Sequence, residues 1–226
     1  MNTLDAIYGR RAVKHFAPDH RLTAEEEKKL LEATIQAPTS FNIQHWRFVI
    51  LRDRDLRKRI RTEFGNDQAQ MTDASLLVLL TADTKAWAKE PERYWRNAPT
   101  EVADLLVGWM GPFHEGREWL QRDEAQRSIG MAAQTLMLAA KAMGYESCPM
   151  IGFDIDAVAE LIGLPEDHVM GPMIAIGKGT QDPWPKPGQL PLSEIVVENG
   201  FETSRTLFGR PPSTSMRPVA PRIEIT

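Results

Sequence analysis

Residues 37–46 read Ala-Pro-Thr-Ser-Phe-Asn-Ile-Gln-His-Trp, a polar stretch between a predicted helix and a predicted strand. On its amino side, Thr23 and Glu26 form a capping-box pattern ahead of an apolar helical face that ends at Pro38. On its carboxyl side, the apolar run at 47–51 is typical of a strand. A loop this rich in hydroxyl and amide groups is about as often plain turn chemistry as a ligand site. Two interpretations stay open: a turn, or a loop that binds a heterocycle or a phosphate.

A basic stretch precedes that helix. Arg10, Arg11 and Lys14 follow a short predicted helix at 4–9 that Gly9 ends. Three such cations are commonly a solvated surface, but Arg can bind a phosphate in bidentate fashion and Lys adds a compact charge. The whole chain carries 27 basic and 31 acidic residues, a formal net charge of −4, which excludes a global basic field for nucleic acid or an anionic membrane. Any anionic ligand must therefore be held locally.

Composition predicts a folded, cytoplasmic protein. The 226 residues are 42% hydrophobic and 26% charged, which suits one domain with a sizeable core. No apolar run approaches the roughly 20 residues that a membrane-spanning helix needs, and the amino terminus lacks a signal-peptide pattern. A lone Cys148 excludes an internal disulfide and a multi-cysteine metal site, so we expect no metal and a buried, hydrophobe-like thiol.

The rest of the chain alternates between helical and strand patterns. A third polar stretch, residues 149–154 (Pro-Met-Ile-Gly-Phe-Asp), is either a turn before a helix or a backbone edge that faces a ligand. The tryptophan-rich segment 85–127 is predicted to be a mobile helical excursion, used for core or dimer packing or as a substrate lid with a glycine hinge at 110–116. The other predicted elements are helices at 53–64 and 128–143, a helix that buries Val158, and strands at 74–82, 173–176 and 195–197.

Six motifs in one order give the chain its resemblance to a known family. From Met1 to about Val197, the sequence resembles the FMN-dependent nitroreductases. The motifs are an Arg-Arg-x-x-Lys-x-Phe start at 10–16, a Pro-x-Ser-x-Asn-x-Gln-x-Trp loop at 38–46, Asp-Ala-Ser at 73–75, a buried helix around 133–140, a Pro-x-x-Gly-Phe-Asp turn at 149–154, and Lys-Pro-x-x-Leu-Pro-Leu at 186–192. Each motif is weak alone, and their shared order carries the resemblance.

The resemblance implies a fold and an assembly. It implies the α+β nitroreductase fold, with a central, mostly antiparallel sheet flanked by helices, in an intertwined homodimer with FMN at the subunit interface. Residues 1–198 would form the FMN-binding domain. Residues 199–226 would be a carboxyl-terminal extension that either wraps the partner subunit or is a free tail.

It also implies the residues that contact FMN. One subunit would supply Arg10, Arg11, Ala12, Lys14, Asp67, Gln70, Met150, Ile151, Gly152, Lys186 and Gln189, and the other Pro38, Thr39, Ser40, Asn42 and Gln44. Asp67 stands where family members commonly have Asn, and Gln70 where some have Lys or Arg. Asn66 could replace Asp67 if the loop shifts by one residue. With one cation missing at the pyrimidine edge, we expect reduced flavin to be stabilised less than in members with two.

The function implied is a ping-pong oxidoreductase. NADH or NADPH would reduce the flavin, and a nitroaromatic, a quinone or a similar acceptor would then be reduced in the same pocket. The pocket candidates are Phe41, Trp109, Phe113 and Trp119. Two alternatives remain: a specialised flavin enzyme, such as a dehalogenase or a flavin-destroying enzyme, and a non-catalytic FMN-binding dimer.

Overall fold

The computed structural model describes residues 1–201. Its strands are β1 (Trp46–Ile50), β2 (Leu76–Asp83), β3 (Glu146–Met150) and β4 (His168–Gly177). They form one antiparallel sheet in the order β1-β2-β4-β3. The predicted α+β class and its antiparallel sheet are confirmed.

Helices of very different length surround or follow the sheet. They are α1 (Thr3–Gly9), α2 (Ala24–Thr34), α3 (Arg54–Arg59), α4 (Gln70–Asp73), α5 (Thr100–His114), α6 (Glu118–Ala142), α7 (Ile155–Leu161) and α8 (Leu192–Ile195). A π-helical turn, Ile60–Phe64, continues α3, and short 3-10 turns form at Ser40–Asn42, Ala86–Ala88 and Pro91–Tyr94. The chain divides into two compact units, one ending at Trp184 and one beginning at Pro185, and α8 belongs to the second.

The start of α2 shows how local sequence sets an element. The Thr23 side chain accepts a hydrogen bond from the Glu26 N–H at 3.1 Å, and the Glu26 carboxylate accepts one from the Thr23 N–H at 2.8 Å. These two bonds satisfy backbone donors that a helix start leaves without partners, so the predicted capping box is confirmed. Leu30, fully buried, then fixes the helix against the sheet.

Strand β2 is buried along its whole length because both faces of the sheet are covered. Leu76, Val78 and Leu80 point to one face, where they pack with residues of α2 and α6. Leu77 and Leu79 point to the other face, which α4, α7 and the amino-terminal segment cover. This alternation is the two-residue period of a strand, and it places a helical layer on each side.

Strand β3 is not predicted from the sequence. Its five residues, Glu-Ser-Cys-Pro-Met, include no β-branched or aromatic side chain, which is the usual mark of a strand. The strand pairs along its length with β4, and on its other side Ser147 forms an isolated bridge to Ala12, so β3 is an edge strand in which Pro149 can be tolerated. Consequently the strand predicted third, at 173–176, is the fourth, and it extends over ten residues.

Three further expectations differ from the structure. The long helix predicted at 128–143 is present, but it begins ten residues earlier, at Glu118. The apolar pattern did not reveal this start, because the polar Gln121 occupies a buried position and interrupts it. The predicted hinge loop at 110–116 is helical as far as His114, where the Nδ1 atom lies 2.8 Å from the Met110 carbonyl. The possible strand at 195–197 is absent from the described residues, and α8 ends at Ile195 instead.

Other expectations of the sequence analysis stay predictions. Most of the extension at 199–226 lies outside the described residues, and the domain boundary at 198 stays a prediction. None of the helices formed by residues 1–201 combines the length and apolar character that crossing a membrane requires.

Candidate functional site

The basic stretch runs beside the edge of the sheet. Arg10 is the residue after α1, and its N–H donates to the Ala6 carbonyl at 3.0 Å. Two residues later the backbone pairs with β3, where the Val13 N–H donates to the Ser147 carbonyl at 3.0 Å. Val13 is buried while Ala12 remains exposed. The chain thus holds its first cations along the outside of β3.

The three cations, Arg10, Arg11 and Lys14, form what we call the cation cluster. Within residues 1–201, no carboxylate forms an ion pair with any of them. Arg11 donates to the Tyr8 carbonyl at 2.8 Å, and the Lys14 ammonium lies 5.0 Å from the ring centroid of Trp184. Three neighbouring cations without acidic partners in this part of the chain could hold an anion.

Gln70 and Cys148 lie next to this cluster. Gln70 is buried, and its amide donates to the Gln68 side chain at 3.1 Å and approaches the Cys148 sulfur at 4.0 Å. Burial raises the pKa of the Cys148 thiol, whereas the charges of Lys14 and Arg10 act in the opposite direction. The thiol is buried, as predicted.

Two amide side chains fix the backbone at Gly152. The Gly152 carbonyl accepts hydrogen bonds from Asn66 at 3.1 Å and from Gln68 at 2.9 Å. Asp67 points elsewhere: its carboxylate pairs with Arg61 at 2.7 Å. Of the two candidates at this point, the structure therefore brings Asn66, and not Asp67, to the glycine. Sequence reasoning missed Gln68, although the run Asn-Asp-Gln after Gly65 is the signal that could have indicated it.

The second group of candidates lies in residues 38–44, which we call the polar loop. Phe41, Asn42 and Gln44 have φ angles of 49°, 56° and 54°, a left-handed conformation that costs non-glycine residues free energy. Hydrogen bonds hold it: Thr39 Oγ1 accepts from the Gln44 N–H at 3.0 Å, and the Asn42 amide donates to the Tyr94 carbonyl at 2.8 Å. Strain of this kind concentrates at functional sites, so the binding interpretation gains support over a plain turn.

Directly after the polar loop, His45 anchors it to the protein interior. The side chain is fully buried, and its Nδ1 atom lies 3.0 Å from the Ser128 hydroxyl on α6. Burial lowers the pKa of His45 from 6.5 to about 4, and the nearby His114 contributes in the same direction. His45 is thus neutral in the folded protein at about pH 7.

This burial predicts an acid-dependent loss of stability. Between its unfolded pKa of 6.5 and its folded pKa of about 4, the unfolded chain binds a proton that the folded chain does not. The associated stability is therefore complete above that window and is lost as the pH falls through it. In urea unfolding, we expect His45 to lower the free energy of unfolding by about 2 kcal/mol at about pH 5 relative to about pH 7. The pH dependence of His45→Asn should be shallower by that amount, and identical pH slopes for the two proteins would contradict the assignment.

The predicted pocket aromatics fall into two groups. Phe41 and Phe113 are in contact, with ring centroids 5.2 Å apart, and His114 lies against both rings. Trp109 and Trp119 are the more exposed pair, at 55% and 65% in the single chain. Large exposed aromatic side chains are typical of surfaces that a partner or a ligand covers.

The cation cluster and the polar loop lie at opposite corners of the sheet. The loop leads into Trp46, which pairs with Ala82, while the basic stretch pairs with Ser147 on the far edge strand. Ser147 is opposite Ile176, and Ile176 is opposite Leu76, six residues along β2 from Ala82. At strand spacings of about 4.8 Å and about 3.4 Å per residue, the corners are on the order of 25 Å apart. One chain alone therefore does not bring the cation cluster and the polar loop to the same small ligand.

The last two candidates, Lys186 and Gln189, belong to the second compact unit, where both are exposed.

The sequence of this chain is similar to those of one known family and its members. The sequence model of the Nitroreductase family matches residues 7–178. Protein DrgA of Synechocystis is 66% identical over 201 residues, covering 87% of this chain and 95% of that protein. MhqN of Bacillus subtilis, which is named as an NAD(P)H nitroreductase, is 30% identical over 83% of this chain and 94% of its own length.

The fold has close structural neighbours. The Bacillus subtilis protein YdfN superposes with a TM-score of 0.79 at 29% identity, covering 85% of this chain and 96% of that one. A protein from Exiguobacterium sibiricum, solved in complex with FMN, gives a TM-score of 0.80 at 25% identity, covering 87% and 96%.

Proposed function

Because this chain belongs to the nitroreductase family, we propose that it is an FMN-dependent oxidoreductase. In this proposal NADH or NADPH is the reductant and a nitroaromatic, quinone or similar compound is the acceptor. The observation that carries the proposal is the cation cluster, whose three positive charges meet no carboxylate within residues 1–201 and suit the phosphate and the pyrimidine edge of FMN.

The residues at the corner of the sheet that carries the cation cluster could hold each part of FMN. Arg10 and Arg11 would hold the phosphate and ribityl chain, and Lys14 would reach the pyrimidine edge. The backbone at Ile151 and Gly152 would face the isoalloxazine ring, with Met150 behind it. We assign the amide role at this edge to Asn66, since its side chain is bonded to Gly152 and that of Asp67 is not.

A partner subunit would complete each site. The polar loop, with Pro38, Thr39, Ser40, Asn42 and Gln44, would come from the second chain of a homodimer. The distance between the two corners supports this arrangement, because a second copy can supply the loop that the first chain holds too far away.

When bound, FMN supplies the redox chemistry by accepting a hydride from NADH or NADPH and passing reducing equivalents to an acceptor in a ping-pong cycle. The protein's part is positioning and electrostatics. Asn66 and Gln68 fix the Gly152 backbone, and the Lys14 ammonium would stabilise negative charge at the pyrimidine edge. Phe41 and Phe113 would wall the substrate pocket, with Trp109 and Trp119 as its outer cover.

The visible spectrum tests this function directly. We expect the purified protein to be yellow, or to take up one FMN per chain, and to be bleached when NADH or NADPH is added without oxygen. Addition of a quinone should then restore the yellow colour. A colourless protein that binds no FMN would exclude every flavin function. A yellow protein that neither nucleotide bleaches would favour the specialised or non-catalytic alternatives.

A further inference from the structure

A second basic cleft lies at the carboxyl end of β1, apart from the cation cluster. It has a volume of about 750 Å³ and is lined by six basic side chains: Arg21, Arg52, Arg54, Arg57, Lys58 and Arg61. Its acidic lining residues are Asp19, Asp55 and Asp67, so positive charge is in excess by three. None of the cations assigned to FMN lines it.

Four of the basic residues form a stripe along one helical face. Arg54, Arg57, Lys58 and Arg61 are spaced at i, i+3, i+4 and i+7 on α3 and the π-helical turn that continues it. The opposite face of this helical segment carries its apolar residues, among them the fully buried Ile60 at the start of the π-helical turn. The fold thus orients the charges together toward the cleft, although like charges on one face repel one another.

Most of this charge is not neutralised within residues 1–201. Arg52 pairs with Glu27, and Arg61 pairs with Asp67 at 2.7 Å. No carboxylate of the described residues forms an ion pair with Arg54, Arg57 or Lys58.

Among the basic residues of the cleft, Arg57 is unusual because it is buried, with only 8% of its surface exposed. Its guanidinium donates to the Leu51 carbonyl at 2.5 Å and to the Ala74 carbonyl at 2.8 Å, which fixes its orientation. Burial lowers the pKa of Arg57 to about 10, and the charges of Arg21, Arg52 and Arg54 add to the effect. A buried cation is normally paired with an acid, so a bound anion would relieve both its burial cost and this repulsion.

We propose that this cleft binds a small multivalent oxyanion of the phosphate-ester or diphosphate class. Its volume lies within the range of roughly 300–1,000 Å³ that small-molecule sites occupy. A rigidly held guanidinium flanked by further Arg and Lys side chains matches the oxygens of phosphate groups. The inference is independent of the flavin function, because it uses other residues.

Calorimetric titration of the FMN-saturated protein with inorganic pyrophosphate tests the proposal, with ionic strength held constant by sodium chloride. We expect saturable binding of one pyrophosphate per chain. The variant Arg54→Gln/Lys58→Gln, which changes two exposed side chains of the stripe, should bind about tenfold more weakly or worse. Binding that is unchanged in this variant, or no binding above that of the sodium chloride reference, would overturn the proposal.

Two matched variants sharpen the result. The surface control, Lys29→Gln/Lys178→Gln, removes the same two charges at exposed positions outside the cleft and should bind pyrophosphate as the parent protein does. Arg10→Gln/Lys14→Gln should also retain pyrophosphate binding, even if the protein binds no flavin at all. Loss of binding in Arg10→Gln/Lys14→Gln alone would place the pyrophosphate at the cation cluster and refute the cleft.

Discussion

Replacing Arg10 and Lys14 with glutamine is expected to weaken FMN binding by about 100-fold or more. Neither side chain pairs with a carboxylate of the described residues, so both charges are available to the ligand. A hydrogen bond to a charged group contributes about 1.5–3 kcal/mol, and two lost contacts of this kind exceed the roughly 2.8 kcal/mol that corresponds to 100-fold. Quenching of FMN fluorescence during titration with the protein gives the dissociation constant.

The surface control separates a local effect from one of net charge. Lys29→Gln/Lys178→Gln changes the formal charge by the same two units and should leave FMN affinity within about twofold of the parent protein. Thermal unfolding of both variants checks that the fold is intact. We expect unfolding temperatures close to that of the parent protein, because Arg10 and Lys14 are not core residues. Equal weakening in the two variants would mean that the cation cluster does not bind the phosphate.

Mixing two defective subunits is expected to restore FMN binding. Arg10→Gln/Lys14→Gln removes the cation cluster, and Ser40→Glu places a bulky negative charge in the polar loop. Each homodimer should bind no FMN in the concentration range that saturates the parent protein. A heterodimer of the two retains one unaltered cation cluster and one unaltered polar loop, on different chains, and should bind one FMN per dimer.

Two affinity tags allow the heterodimer to be purified after co-expression, and its flavin content follows from absorbance. A heterodimer without flavin, together with two inactive homodimers, would show that both groups of residues serve one site within a single chain. Failure of the two chains to co-purify would contradict the homodimer itself.

Local signals were sufficient for much of the fold. The capping box at Thr23 and Glu26 marked the start of α2, because its hydrogen bonds join residues three apart. The apolar run of β2 indicated a strand buried on both faces, as the two core clusters confirm. In contrast, β3 has a sequence with no strand preference, and it is a strand only because β4 offers it an edge.

The candidate site divides in the same way. The residue types at 10–14 and 38–44 by themselves predicted an anion-binding stretch and a polar loop. The choice between Asn66 and Asp67 required the structure, since it depends on which side chain turns toward Gly152, a residue far away in the sequence. The role of Gln68 was equally hidden, because its partner lies on another element.

By itself, the sequence determined the capping box of α2, the buried strand β2 and the residue types of the cation cluster and the polar loop, all of which depend on neighbours within a few residues. Only the tertiary structure decided that the cluster and the loop lie at opposite corners of one sheet. That separation follows from strand order and register, which are set by pairing between distant segments and leave no local pattern. The tertiary structure also determined which arginines line the second basic cleft, because Arg21 and Arg57 are brought together only when the chain folds.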